Sequence, residues 1–419
     1  MKNIFLKSVL AGAVSFACLS GAVQAEEVTV WAWDPNFNVA IMNEAAEQYT
    51  AAHPETTIKV VDFSKNEVEQ KLHTMLASGV TSSLPDVVLI EDYNAQKYLQ
   101  SYPGSFAPLT ADIDYSNFAH YKVNVMTVGK EVYGVPFDSG VTGLYYRTDI
   151  LEKAGFNAAD LVNITWDRFI EIGLQVKEKT GVAMLGNDPS DMGLLRVMIQ
   201  SAGAWYFNAD GSLNIVNNAA LKEGIRVFKD LHAKGVARPT VGWSEWVGVL
   251  NSGAAASVTT GVWITASVKA GADQSGKWSV APTPRLNIEG AVNSSNLGGS
   301  SWYVLDSSNE KKQAIDFLKT TYASEVKFYE TILAKQGAVG SYTPAGSSAA
   351  YQQPDAFFAG QKIYSDFAHW MVDIPNVNYG MYTYEVDAAI AAQMPAIMQG
   401  APIDKILESV EQQLKYQIQ

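Results

Sequence analysis

The sequence predicts an α/β protein with a mostly parallel sheet and helices on both of its faces. Strand, loop and helix alternate twice between Val28 and Ile90, the pattern of strands joined by helical crossovers. Asp86 to Ile90 reads as a continuous apolar run, as in a strand buried on both faces. The 419 residues are enough for two domains or one large one, with ample core in either case.

Val28 to Trp33 alternates and is β-branched or aromatic, a strand broken by Asp34-Pro35-Asn36. Val39 to Tyr49 follows as a helix with Ala40, Ala45 and Tyr49 inward. Thr57 to Val61 is the second strand, and Asn66 to Ala77 a helix stopped by Gly79. Glu91-Asp92-Tyr93 stands at the C-terminal end of the apolar run, the end where open sheets of this kind bind ligands. Gly134 and Pro136 mark a change of direction, with Asp138-Ser139 on the turn and polar groups free to meet a ligand. A strand, Val141 to Tyr146, and a helix from Asp149 to its stop at Gly155 come next.

Further on, helices are expected over Trp166 to Thr180, Asp191 to Ala202 and Ala219 to Ala233. Gly253 to Thr260 is a small-residue strand leading into Gly261-Val262-Trp263, and Trp278 to Ala281 is a strand ended by prolines. Ser301 to Leu305 is a strand, then Glu310 to Tyr322 and Ser324 to Leu333 are helices, and Ala338 to Pro344 is a loop. The last helix, Ile403 to Tyr416, places Ile403, Ile406, Leu407, Val410 and Leu414 on one face.

Met1 to Ala25 has two lysines, an apolar run from Val9 to Cys18 and small residues ending Val23-Gln24-Ala25. That pattern predicts a cleavable export signal, with cleavage expected between Ala25 and Glu26. A lipoprotein signal at Cys18 is the alternative, but Ser15-Phe16-Ala17 lacks the aliphatic residue expected three positions upstream of a lipidated Cys. Cys18 is the only cysteine, so the mature chain would form no disulfide. Removing two lysines and no acids leaves 394 residues and moves the net charge from -13 to -15. Such an acidic chain speaks against nucleic acid or an anionic membrane surface as partner. The 20 tyrosines and 10 tryptophans, beyond filling core, suit a ligand with both apolar faces and hydroxyls.

Five stretches, in this order, resemble those of the extracellular solute-binding proteins of sugar ABC transporters, the maltodextrin-binding-like group. They are VTVWAWDPNF, LPDVVLIED, GVPFDSGVTGLYYRTDILEKAGF with TWDRF, SGAAASVTTGVWI and LGGSSWYVLDSSNEKKQAIDFLK. The resemblance implies a periplasmic-binding-protein type II fold: two α/β lobes joined by a hinge, with the ligand cleft between them. It places residues 26–137 plus 298–340 in the N-terminal lobe and 138–297 plus 341–419 in the C-terminal lobe. It also implies hinge closure around an oligosaccharide, delivery to the membrane permease of an ABC importer, a monomeric state and a periplasmic location. Trp-x-Trp-Asp-Pro-Asn-Phe looks like members that bind β-galactosides such as lactose, or arabino-oligosaccharides.

Sugar hydroxyls call for carboxylates and amides, and the apolar face of a pyranose calls for a flat ring. Trp33, Asp34 and Phe37 make a stacking and hydrogen-bonding loop, with core packing the alternative for Trp33. Phe63, Glu91 and Asp92 fall at strand ends. Asp92 and Asp138, with Ser139 beside it, are the favoured carboxylates, with helix capping the alternative. Trp263 matches the family's Gly-x-Trp position, and Gly299 and Ser300 offer backbone and hydroxyl groups at a second crossing. Trp205, Trp243, Trp302, Tyr379 and Tyr382 complete the candidates, though packing competes at each; the run from Asn378 to Tyr382 suggests room for more than one sugar ring. No cofactor, metal site or catalytic residue is expected: the five histidines are scattered and no Gly-x-Ser-x-Gly elbow or phosphate loop occurs. A glycoside-acting enzyme with a carboxylate pair is the main rival, because carboxylate spacing is not legible in a sequence.

Overall fold

Residues 26–418 are described by the structure, a computed structural model; residues 1–25, expected to be an export signal, lie outside the described residues. In chain order the strands are β1 (Glu26–Ala32), β2 (Thr56–Asp62), β3 (Val87–Glu91), β4 (Thr127–Val128), β5 (Glu131–Val132), β6 (Gly134–Pro136) and β7 (Thr142–Arg147). They continue with β8 (Ala183–Asn187), β9 (Ala237–Pro239), β10 (Ala255–Gly261), β11 (Trp278–Pro282) and β12 (Ser300–Val304). One five-stranded sheet runs β2-β1-β3-β12-β6, a second runs β11-β7-β10-β8-β9, and β4 and β5 form a small ribbon.

Each large sheet is parallel but for one strand. β12 is antiparallel to both its neighbours in the first sheet, and β7 to both of its neighbours in the second. These two strands are the ones that arrive from the other sheet. Parallel strands run toward the boundary between the sheets, and a chain crossing that boundary must run away from it. The sheets are therefore two lobes, and the C-terminal ends of their parallel strands face each other.

Three chain segments lie side by side at the crossing. Leu297 N donates to Gly140 O, Ser139 N to Val339 O, and Ser341 N to Phe137 O, each at 2.8 Å. This short three-stranded belt is the hinge.

Local chemistry explains the helices that sequence rules located. Ser64 and Glu67 form a capping box at the start of Lys65–Ser78, which Gly79 ends in the left-handed region. Thr165 caps Trp166–Thr180, and Gly181 ends it in the same way. Among the described residues, four helices of nine or more residues were not anticipated: Asp92–Ser101, Gly242–Asn251, Ile363–Met371 and Thr383–Met398. None of the four has a side-chain cap bond at its start. Asp92–Ser101 leaves β3 without an intervening loop, and Thr383–Met398 carries Pro395 inside it. On the last helix Leu407, Val410 and Leu414 are buried as expected, whereas Ile403 and Ile406 are only half-buried at its rim.

Candidate functional site

A cavity of about 410 Å³ lies between the lobes, at the facing strand ends. The first lobe contributes Glu91 at the end of β3 and Tyr93 just beyond it, and the hinge contributes Leu297 and Gly298. From the second lobe come Asn187 and Asp188 after β8, Trp243 and Trp246 from Gly242–Asn251, Thr259 and Thr260 of β10, and Trp263. Arg196, from the buried helix Gly193–Ser201, and Tyr384 close the back.

Three indoles form one wall. The Trp243 ring centre is 5.6 Å from Trp246 and 6.0 Å from Trp263, and Trp246 and Trp263 are 6.4 Å apart. Trp246 Nε1 donates to Gly186 O at 3.0 Å and Trp263 Nε1 to Leu297 O at 2.9 Å. Those bonds fix the polar edges of two rings and leave apolar faces for contact. The Gly-x-Trp spacing has a steric cause here: a Cβ on Gly261 would stand 2.2 Å from Trp263 Nε1.

The polar groups are held in place. Asp188 accepts from Ser190 N and Oγ at 2.9 and 2.6 Å and from Gly242 N at 2.7 Å. Burial opposes its charge, but those bonds outweigh burial and keep its carboxyl below the usual range. Glu91 pairs with Lys65 and accepts from Tyr384 Oη at 2.6 Å. Arg196 is held over the rings of Tyr93 and Tyr384 at 4.6 and 5.4 Å, with its Nε 3.2 Å from Asp387 Oδ2. Among the described residues, Arg196 Nε and Nη1 and the hydroxyls of Thr259 and Thr260 are buried without a hydrogen-bond partner. Leaving such a group unsatisfied costs about 1–3 kcal/mol.

Of the residues singled out from the sequence, Glu91, Trp243 and Trp263 line this cavity. Trp33 is half-buried in a narrow crevice beside Glu91, and Phe63 packs edge-on to Trp31 in the first lobe. Asp34 and Phe37 line a second opening of about 710 Å³ on the far side of Trp263. Asp34 has φ of 63°, and its Oδ1 accepts from Asn36 N and Phe37 N, so its carboxylate shapes its own loop.

The remaining candidates stand elsewhere, most of them in buried structure. Asp138 and Ser139, expected as groups free for a ligand, are enclosed by the hinge. Asp138 Oδ1 accepts from Ser300 N at 2.7 Å, and Ser139 Oγ bonds Tyr121 Oη at 2.7 Å. Asp92 is fully buried against Lys122, whose Nζ donates to Asp92 Oδ2 at 2.6 Å and to Ser300 O at 2.8 Å. The backbone of Gly299 and Ser300 is spent on Asp92 and Asp138, and Gly299, at φ 94°, has no room for a Cβ beside Asp92 Oδ2. Burial pushes the Asp138 carboxyl up to about 6, with Lys122 opposing and Asp92 adding to the shift. Trp302 has no exposed surface and packs against Phe137 and Tyr322. Trp205 and Tyr379 are buried with Tyr93 behind the cleft, and Tyr382 faces a surface groove beside Glu385 and the C-terminal helix.

Tyr93, Asn187, Asp188, Arg196, Trp246, the two threonines and Tyr384 were not picked out from the sequence. The one usable signal was the pair Trp243 and Trp246, three apart in a short helical turn.

Two α/β lobes, a three-strand hinge and an aromatic cleft at the facing strand ends define the class: a periplasmic-binding-protein type II fold. The sequence matches the bacterial extracellular solute-binding protein family over residues 44–359, and the chain belongs to that family. It is 58% identical over 416 residues, 99% of each chain, to the lactose-binding protein of Rhizobium radiobacter. It is 27% identical to the arabinooligosaccharide-binding protein of Bacillus subtilis (strain 168), over 73% of this chain and 71% of that one. Among solved structures, its fold is similar to that of the ABC transporter associated binding protein from B. animalis subsp. lactis Bl-04 in complex with beta-1,6-galactobiose. That match has a TM-score of 0.71 and 22% identity, covering 93% of this chain and 97% of the other.

Proposed function

We propose that this protein is the receptor of an ABC importer for an uncharged di- or oligosaccharide, with a β-galactoside such as lactose as the preferred ligand. The observation that carries this is the wall of three tryptophans facing buried, unpartnered hydroxyl and guanidinium groups in the inter-lobe cleft. Indole faces take the apolar face of a pyranose, and the polar groups take its hydroxyls. Glu91, Asp188 and Asp191 outnumber Arg196 among the charged groups of the lining, which disfavours acidic sugars. The full-length likeness to a lactose-binding protein supports lactose over arabino-oligosaccharides.

The lobes are taken as 26–137 plus 298–340 and 138–297 plus 341–419, a reading supported by the first crossing, where β6 ends at Pro136 and β7 starts at Thr142 in the other sheet. Ligand bridging Glu91 and Tyr93 on one side and Trp243 and Trp263 on the other would favour the closed form, which membrane permease subunits then engage. The protein acts as a periplasmic monomer after removal of residues 1–25, and does no chemistry on the sugar. Asp34 and Phe37 bound the second opening, Trp33 stands at the crevice beside Glu91, and all three would meet only a longer ligand.

A tryptophan-fluorescence titration against lactose, galacto-oligosaccharides, arabino-oligosaccharides, maltose and monosaccharides, repeated by calorimetry, tests this. Saturation by lactose with intact sugar recovered afterwards is expected. Silence across the panel, or turnover of a chromogenic galactoside, overturns it.

A further inference from the structure

Among the described residues, Arg196 is the one cation lining the inter-lobe cavity, and it is built in rather than placed on the surface. It comes from a helix whose residues are all buried, and its side chain is 9% exposed. Its position is set from three directions. Tyr93 of the first lobe lies under the guanidinium, Tyr384 of Thr383–Met398 lies beside it, and Asp387 of the same helix meets its Nε edge. Asp387 is itself held, because its Oδ1 accepts from Tyr206 Oη at 2.7 Å. Burial opposes the charge of Arg196, but Asp387 and the surrounding tyrosines outweigh it, so the group stays protonated. With all this support, neither Nη1 nor Nε makes a hydrogen bond among the described residues, although Nε is 3.2 Å from Asp387 Oδ2.

Such a donor is costly to keep unless something uses it. We propose that Arg196 is a specificity-determining residue, donating a guanidinium N–H hydrogen bond to one hydroxyl oxygen of the bound sugar. The inference rests on the sugar-receptor function above. Asp387 balances the charge, so Arg196 serves an uncharged hydroxyl rather than an acidic sugar. Its ring contact with Tyr93 spans the two lobes, so the same side chain would bind sugar and hold the lobes together.

Calorimetry with lactose and its monodeoxy derivatives would be run on the wild type, Arg196→Lys and the double variant R196M/D387N. The double variant leaves no buried charge unpaired, which guards against a single variant that fails to fold. Wild type is expected to lose roughly tenfold to a hundredfold in affinity on removal of one particular hydroxyl. The variants should lose a similar factor on lactose itself, and show no further loss with that deoxy sugar. Folded variants that keep wild-type affinity for lactose, or keep every deoxy penalty, overturn the role of Arg196 while leaving the sugar-receptor function intact. A wild type that binds none of these sugars overturns both.

Discussion

At Trp243, 53% of the surface is open and the ring leans on two other indoles, whereas Trp302 has none exposed. Trp243→Ala should therefore weaken sugar binding by about 2 kcal/mol while the melting temperature holds. Trp302→Ala should cost about 3–5 kcal/mol of stability through the cavity it leaves, read by denaturant unfolding. Asp138 offers a pH test. Its folded carboxyl lies at about 6, above the ordinary aspartate value, so the folded state binds the proton more tightly than the unfolded chain. Its ionisation therefore costs stability as pH rises through that window, on the order of 1–3 kcal/mol. Asp138→Asn keeps an acceptor for Ser300 N–H and removes the charge. Its melting temperature relative to wild type should rise between pH 4.5 and 7.5, and a flat difference would discount the buried charge. A sequence shows residue type, which is why Trp243, Trp263 and Glu91, which line the inter-lobe cavity, could be singled out. It does not show that Asp138 and Asp92 meet Lys122 and two backbone groups instead of solvent.

Caps and glycine stops made helices such as Lys65–Ser78 and Trp166–Thr180 legible to within a residue or two. Gly242–Asn251 escaped because it opens on a glycine with no side-chain cap and keeps only Val249 and Leu250 buried. It nevertheless supplies two of the three cleft tryptophans. The link between β10 and Trp263 is tight enough to test. In Gly261→Ala the new methyl would stand 2.2 Å from Trp263 Nε1, which must swing away from Leu297 O. Sugar affinity should fall by about tenfold or more, with an altered tryptophan spectrum. Wild-type affinity in that variant would mean that the Trp263 ring does not contribute to binding.

Across the whole molecule, the antiparallel strands β7 and β12 show how two lobes are woven from one chain. A ligand held by both lobes should make the molecule more compact, visible in small-angle scattering. At one hundred times its Kd it should also stabilise the fold by about 2.7 kcal/mol. A ligand that raises the melting temperature without compaction would mean it binds one lobe alone. The alternation of strand and helix was enough to predict an α/β sheet, because local periodicity and turn chemistry are written residue by residue. The two-lobe class came from the resemblance of the ordered motifs to a known family. Only the tertiary structure decided which aromatics and acids meet in the cleft. Arg196, Asp188 and Tyr384 are brought to Trp263 by packing between elements far apart in the chain, and position at the cavity, not residue type, separates them from Trp302 and Asp92.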